Sequence, residues 1–462
     1  MKKSENILIL GLGGLGRYLA GRLSHEEHHV TVIEPNAAKI RAAEGQLDAR
    51  LICGDALDFD RWAEAGAAEM DYVIAVTDND AANIMSALIA ERFDIEQKIA
   101  RVRSMKVWDP SAVLTAADLK INLVIRPEEL ASQEIVHLLK TQAGNVQITL
   151  GGGDLQVVAT HVHRTSRLAQ MRVKDISDKR DEFPFKVVCV ARDIDTYIPG
   201  GDFTILPDDH VFVLAHTRDM ARLMKLADVS VARRHGVLIV GGGLIGARVA
   251  ELLEPHYTVR LVERDEHRAE ELCYRLRRTE VLHGDGSDSS VLLQAGLLKT
   301  DTIIATTGDN EANIMIGVLA KHLIQTRADD VQAAIGKTIA LVKRTDYLVL
   351  ASAMGADLAV NRKILAANHI LRYIRRGHVL SVAHLHGCDA ELVELLAGAD
   401  SPITRSPLHE LTHLRDRIMV GALYRDGAWS VAGGGTQIRT GDRVVCISRP
   451  DDLRELQRLF LA

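Results

Sequence analysis

Apolar residues at the start of the chain fall in short unbroken runs: ILIL from Ile7, VTVI from Val30, ARLI from Ala49, DYVIAV from Asp71 and IARV from Ile99. Between them lie stretches of about a dozen residues with apolar positions three and four apart, the period of a helix. Unbroken runs, as opposed to alternating ones, mark strands covered on both faces, as parallel strands are. Strands alternating with helices predict an α/β fold with a doubly wound parallel sheet of Rossmann type.

The pattern then repeats. ILILGLGGLG from Ile7 returns as VLIVGGGLIG from Val237, placing Gly241 230 positions after Gly11. Glu34 returns as Glu263, Asp55 as Asp285 and Asn83 as Asn313, at shifts of 229, 230 and 230. Unrelated glycine loops would not hold that spacing over so long a stretch. A second repeat lies between the first. YIPGGDFTILPDDHVFV from Tyr197 resembles SVAGGGTQIRTGDRVVC from Ser430, with Asp209 and Asp442 separated by 233. Each copy has a β-rich run turning at Gly or Pro-Asp, then a helical pattern near Met220 or Leu456, as small α+β domains do. The expected organisation is a Rossmann-like domain (1–140), a small α+β domain (141–230), a second Rossmann-like domain (231–370) and a second small domain (371–462).

The two glycine loops carry the candidate chemistry. Gly11-Leu12-Gly13-Gly14-Leu15-Gly16 and Gly241-Gly242-Gly243-Leu244-Ile245-Gly246 each follow a strand and open a helix. In that context the first glycine permits a tight turn, the second lets backbone approach a pyrophosphate, and the third lets helix pack on strand. An acidic residue about 20 positions on, ending the second strand, can accept both ribose hydroxyls. Glu34 and Glu263 fill that place, and their charge would repel a 2′-phosphate, favouring NAD(H) or another adenine nucleotide over NADP(H). Otherwise both are solvated strand-end residues. Asp55 and Asp285 follow the third strand, beside adenine or as plain turn formers. Thr77-Asp78 and Thr307-Gly308 follow the fourth strand, over the crevice where open α/β sheets bind ligands. Arg101, Arg103 and Lys343 belong to the fifth-strand region as phosphate partners or surface salt bridges. The NIM segments at Asn83 and Asn313 read as helix core and interface.

Composition removes several function classes. Lys and Arg total 56 against 62 Asp and Glu, a formal charge of −6, far from the basic balance of a nucleic-acid binder. No basic recognition helix is visible for a soluble redox-sensing regulator of DNA. The five cysteines are scattered, without a CxxC pair, which supports neither a disulfide framework nor a zinc ribbon and fits a reducing, cytosolic compartment. His384, His386 and Cys388 alternate as a strand would display a metal triad, but the other small domain has no equivalent, so strand residues at a polar edge are the expectation. No apolar stretch approaches the roughly 18 residues of a membrane span. The apolar run after MKKSEN is short and lacks a cleavage site, so it reads as a first strand, not a signal. An NAD-dependent oxidoreductase would need a proton-transfer residue on a separate domain. No SxxxY/K-type constellation, HExxH or GxSxG occurs, so no catalytic residue and no enzyme activity is expected.

GLGGLG and GGGLIG after strands, the Glu ending each second strand, the GD pairs, TDND and TGDNEANIM, RVRS, and the GG-to-Asp spacing of the small domains together resemble the TrkA regulatory family, built from RCK units. The resemblance covers essentially the whole chain, as two such units. It implies NAD or NADH as ligand and, in related systems, ATP or ADP. It also implies a homo-oligomeric ring, a dimer or tetramer, on the cytoplasmic face of the inner membrane beneath a TrkH- or TrkG-like potassium-translocating subunit. By position it assigns the ligand to Gly11–Leu15, Glu34, Thr77, Asp78 and Arg101, and to Gly241–Ile245, Glu263, Thr307, Gly308 and Lys343. The second copy has Lys343 where the first has Arg103, so the two sites are expected to differ in ligand or occupancy.

Overall fold

The computed structural model describes residues 4–103, 114–140, 147–162, 164, 166, 168–177, 183–193, 195–220, 222–223, 236–327, 337–374, 379–385, 388–411 and 417–461. The five apolar runs form β1 (Asn6–Leu10), β2 (His29–Glu34), β3 (Arg50–Cys53), β4 (Tyr72–Ala75) and β5 (Gln97–Arg101), and a sixth strand, β6 (Leu123–Ile125), joins them. They pair in parallel in the order β3-β2-β1-β4-β5-β6, the doubly wound arrangement expected. Helices α1 (Gly14–His25), α2 (Ala37–Ala43), α3 (Phe59–Ala65), α4 (Asp80–Arg92) and α5 (Pro127–Lys140) connect or follow the strands. Asn36, Asp58 and Asn79 cap α2, α3 and α4 with side-chain oxygens, which sets where each begins.

A five-stranded antiparallel sheet follows: β7 (Gln147–Leu150), β8 (Leu155–His161), β9 (Phe185–Arg192), β10 (Asp195–Tyr197) and β11 (His210–His216), with the short helix α6 (Val173–Ser177). The second parallel sheet has β12 (Gly236–Val240), β13 (Thr258–Glu263), β14 (Glu280–His283), β15 (Thr302–Ala305), β16 (Lys337–Leu341) and β17 (Leu358–Val360) in the order β14-β13-β12-β15-β16-β17. Its helices are α7 (Leu244–Leu253), α8 (Glu266–Arg275), α9 (Ser289–Gln294), α10 (Asn310–Arg327), α11 (Asp346–Ala353) and α12 (Arg362–Ile374). The last sheet has β18 (Val379–His384), β19 (Glu391–Leu396), β20 (Ile418–Arg425), β21 (Ala428–Val431) and β22 (Arg443–Ser448), closed by α13 (Leu453–Phe460). The two antiparallel sheets share one strand order, β7-β8-β11-β9-β10 and β18-β19-β22-β20-β21, so the weaker sequence repeat is a repeat of fold. The helical pattern near Leu456 is α13, while much of its counterpart near Met220 lies outside the described residues, as do residues 375–378 after α12.

The chain divides into two compact units that do not follow sequence order. One holds residues 1–130 and 362–374, the other residues 131–361 and 375–462. Within the first, Ala366, Ala367, Ile370, Leu371 and Ile374 of α12 complete the core of the first Rossmann sheet with Ile7, Ile9, Leu15 and Leu19. Within the second, the α5 residue Leu138 accepts a hydrogen bond from the buried Lys337 Nζ at 2.5 Å. Each parallel sheet is therefore covered in part by a helix that belongs to the other repeat in sequence.

Candidate functional site: two glycine loops at the switch points of the parallel sheets

In the second Rossmann fold, a cleft of about 600 Å³ lies at the carboxyl edge of the strands. Gly241, Gly243, Glu263, Asp285, Thr307 and Gly308 line it, together with Arg264, His267 and Arg268. Gly241 takes a φ of +99°, open to glycine without strain, and Gly11 takes +98°. A Cβ on Gly243 or on Gly13 would meet no atom within 4 Å, leaving space above the loop. Helices α1 and α7 start at Gly13 and Gly243 with no side-chain cap, unlike α2, α3, α4, α8 and α9. Their first N–H groups are available to an anion. Of the remaining loop residues, Leu12, Leu15 and Ile245 are buried, whereas Leu244 is exposed and Gly242 packs against Leu272 and Glu263.

The acidic residues are held by backbone. Glu263 accepts from Gly242 N–H at 2.6 Å and Asp265 N–H at 2.9 Å. A carboxylate so fixed keeps further lone pairs for hydroxyl donors. Glu34 accepts from Leu12 N–H at 2.7 Å and Asn36 N–H at 3.1 Å, and adds an ion pair to Lys39 Nζ at 3.1 Å. The residue matching Lys39 is Arg268, and its Nε donates to Gly242 O at 2.8 Å. The first carboxylate is thus partly neutralised and buried, while the second faces the cleft, a concrete difference between the copies. Asp285 accepts from Ser287 Oγ and N–H at 2.6 and 2.9 Å; these bonds hold its pKa below the usual carboxylate range. Asp55 likewise accepts from Leu57 N–H at 2.8 Å, so both aspartates form their own turns.

Asn83 and Asn313, which the sequence assigns to helix core and interface, are buried and also organise the neighbouring loops. Asn313 is 1% exposed, and its Oδ1 accepts from Thr307 N–H and Oγ–H at 2.8 and 2.6 Å. Its Nδ2 donates to Thr307 O at 3.2 Å and Leu341 O at 2.8 Å. Asn83 repeats all four bonds with Thr77 and Arg101 O. A fully satisfied buried amide therefore shapes the loop after each fourth strand. Its signal in the sequence is an asparagine six residues after a threonine, twice. Asn313→Ala is expected to lose about 2 kcal/mol by leaving loop groups unpaired. Thermal unfolding checks this, and an unchanged melting temperature would count against it.

The cationic candidates separate. Arg103 folds onto Asp80, with Nε to Oδ1 at 3.2 Å, and onto Asp78 O, while Lys343 Nζ bonds Gly308 O. Both clamp the loop after the fourth strand. Arg101, matched by Leu341, has Nη2 3.9 Å from Glu128 Oε1. Burial pushes the Arg101 guanidinium pKa down against the pull of Glu128.

In the small domains, His384 ends β18 and His386 lies outside the described residues. Cys388 is buried with Sγ 3.5 Å from Cys189 Sγ. Burial, reinforced by Cys189, pushes its thiol well above the ordinary range, unlike a thiolate ligand. Among the described residues, no helix is long and apolar enough to cross a membrane.

Comparison with known proteins agrees with this geometry. The chain is 27% identical over 460 residues to the Trk system potassium uptake protein TrkA of Azorhizobium caulinodans, covering 98% of each. It is 28% identical to the protein of the same name from Halomonas elongata, again over 98% of each. Among solved structures, the GsuK RCK domain matches with a TM-score of 0.57 at 18% identity, covering 99% of this chain and 95% of that one. The GsuK channel bound to NAD matches with a TM-score of 0.56 at 18% identity, covering 99% and 79%. These likenesses show the RCK fold. The TrkA-N domain matches residues 7–127 and again 237–362, the two Rossmann folds and more than half of the chain, so the protein belongs to the TrkA-N domain family.

Proposed function

We propose that the protein is the nucleotide-binding regulatory subunit of a potassium-uptake system. In this reading each Rossmann fold takes NAD(H) or ATP/ADP, and four domains (1–140, 141–230, 231–370 and 371–462) form one protomer of a homo-oligomeric ring. The ring sits on the cytoplasmic face of the inner membrane and gates a TrkH- or TrkG-like pore subunit. The observation that carries it is the cleft where Gly241, Gly243, Glu263 and Thr307 converge above an uncapped helix, in a chain matched end to end by potassium uptake proteins. A structural neighbour described as bound to NAD supports the ligand class.

The mechanism follows from linkage. A ligand shifts an equilibrium between two ring shapes only by binding one more tightly than the other. The second cleft suits that task, because its floor is fixed backbone while Arg264, His267 and Arg268 at its rim are side chains that answer ligand charge. In this reading the site binds its nucleotide and does not turn it over.

The test is calorimetric titration of the full chain with NADH, ADP and ATP, alongside potassium flux through the reconstituted pore subunit. Glu263→Ala is expected to weaken binding about tenfold or more and to abolish nucleotide-dependent flux, for loss of a charge-assisted pair to the ribose. Unchanged affinity would overturn the second site. Substrate-dependent NADH consumption would favour an oxidoreductase instead.

A further inference from the structure

Helix α12 brings positive charge from the second half of the sequence to the first glycine loop. A Cβ on Gly14 would lie 2.9 Å from Lys363 Cδ and 3.5 Å from its Nζ, so this ammonium lies against the loop at the start of α1. The matching position in the second copy is Leu244, 59% exposed, where the first copy has glycine with lysine across it. Next to Lys363, Arg362 Nη1 bonds Glu128 Oε1 at 2.8 Å, and Arg101 Nη2 stands 3.9 Å from that same oxygen. Arg101 Nε is buried without a hydrogen-bond partner. One carboxylate thus stands between two guanidinium groups, whereas the counterpart of Arg101 in the second copy is the uncharged Leu341.

We propose that Lys363 is a phosphate-contacting, specificity-determining residue of the first nucleotide site, supplied by the second repeat, and that it selects a nucleoside di- or triphosphate. The proposal rests on the reading of the first loop as a nucleotide site. The α1 N-terminus takes the phosphate nearest the ribose through backbone N–H groups. Lys363 adds a point charge for the phosphates beyond it, as lysine does in phosphate sites. The Lys363 ammonium beside the start of α1 rewards each additional phosphate charge, and a nucleoside monophosphate is expected to fall short of it.

The experiment is calorimetric titration of the full-length protein with AMP, ADP, ATP and NADH in a Gly243→Asp background that blocks the second loop. Lys363→Gln is expected to weaken ADP and ATP about tenfold or more while AMP stays within about twofold, with Lys363→Arg restoring the affinity. Equal weakening of AMP and ADP, or unchanged ADP affinity in a protein that binds ADP before substitution, overturns the role of Lys363 and leaves the site standing. Weakening of NADH alone overturns the choice of ligand. If the Gly243→Asp parent binds no nucleotide, the reading of the first loop fails and the proposal with it.

Discussion

Gly246→Ala is expected to cost about 3 kcal/mol or more and to melt the second Rossmann fold early, because overpacking against backbone has no cheap relief. An alanine Cβ there would stand 1.9 Å from Gly241 O and 2.6 Å from Thr306 Oγ1. Alanine's better helix propensity returns only about 1 kcal/mol. The companion substitution Gly243→Ala meets no atom within 4 Å at a φ of −61°, so its melting temperature should match the wild type. Its methyl group would instead occupy the space a pyrophosphate needs, and nucleotide affinity should fall. Scanning calorimetry and nucleotide titration separate the two. If Gly246→Ala melts normally, the contact between loop and helix is not as tight as described. If Gly243→Ala binds like the wild type, the space above the loop is not the ligand's.

The second large effect is expected in the last antiparallel sheet. Arg425 donates through Nε to Asp442 Oδ1 at 2.9 Å, through Nη2 to Asp442 Oδ2, and also to Gln437 O at 2.8 Å. Asp442 further accepts from Arg439 N–H at 2.8 Å and is 4% exposed. Burial alone would raise its pKa, but the Arg425 and Arg439 hydrogen bonds outweigh that and hold the carboxyl below its usual range. Arg425→Leu strands a buried carboxylate and is expected to cost about 3 kcal/mol at neutral pH, less than a fully enclosed pair would because Arg425 is partly exposed. The sign follows from linkage. A group with a depressed folded pKa contributes stability above its unfolded value, near pH 4, and loses it as pH falls through the folded value. The gap between wild type and Arg425→Leu should therefore be full at neutral pH and shrink below about pH 4. Chemical denaturation across that range measures it, and a pH-independent gap would show that the pair is not the source. The other small domain repeats the clasp as Arg192 and Asp209, with bonds of 2.8 and 2.9 Å.

Much of this architecture was readable in one dimension because its causes are local. Unbroken apolar runs and caps such as Asn36 and Asp58 specify strands and helix starts within a few residues. The glycine loops are likewise local, since Gly11 and Gly16 answer to each other across five positions. The placement of Glu34 and Glu263 at the ends of β2 and β13 needed only strand-end spacing. The roles of Arg103 and Lys343 were less legible. A cation near a glycine loop reads as a phosphate partner or as a salt bridge, and the ion pair of Arg103 to Asp80 and the placement of Arg103 and Lys343 on Asp78 O and Gly308 O depend on how the following loop turns. Asn83 and Asn313 were visible as a repeat six residues after a threonine, but that spacing does not reveal that each amide ties the loop after the fourth strand to the end of the fifth.

By itself the sequence determined the duplicated order of the chain, the two parallel sheets, the loops at their switch points and the acidic residue beside each, since all of these follow from periodicity and short-range spacing. Only the tertiary structure decided which sheet each final helix covers. The amphipathic pattern of α12 requires an apolar surface but does not name one, and two copies of the same fold offer nearly the same surface. Packing chose the first, and with it carried Arg362 and Lys363 to a loop that lies some 350 residues away in the chain.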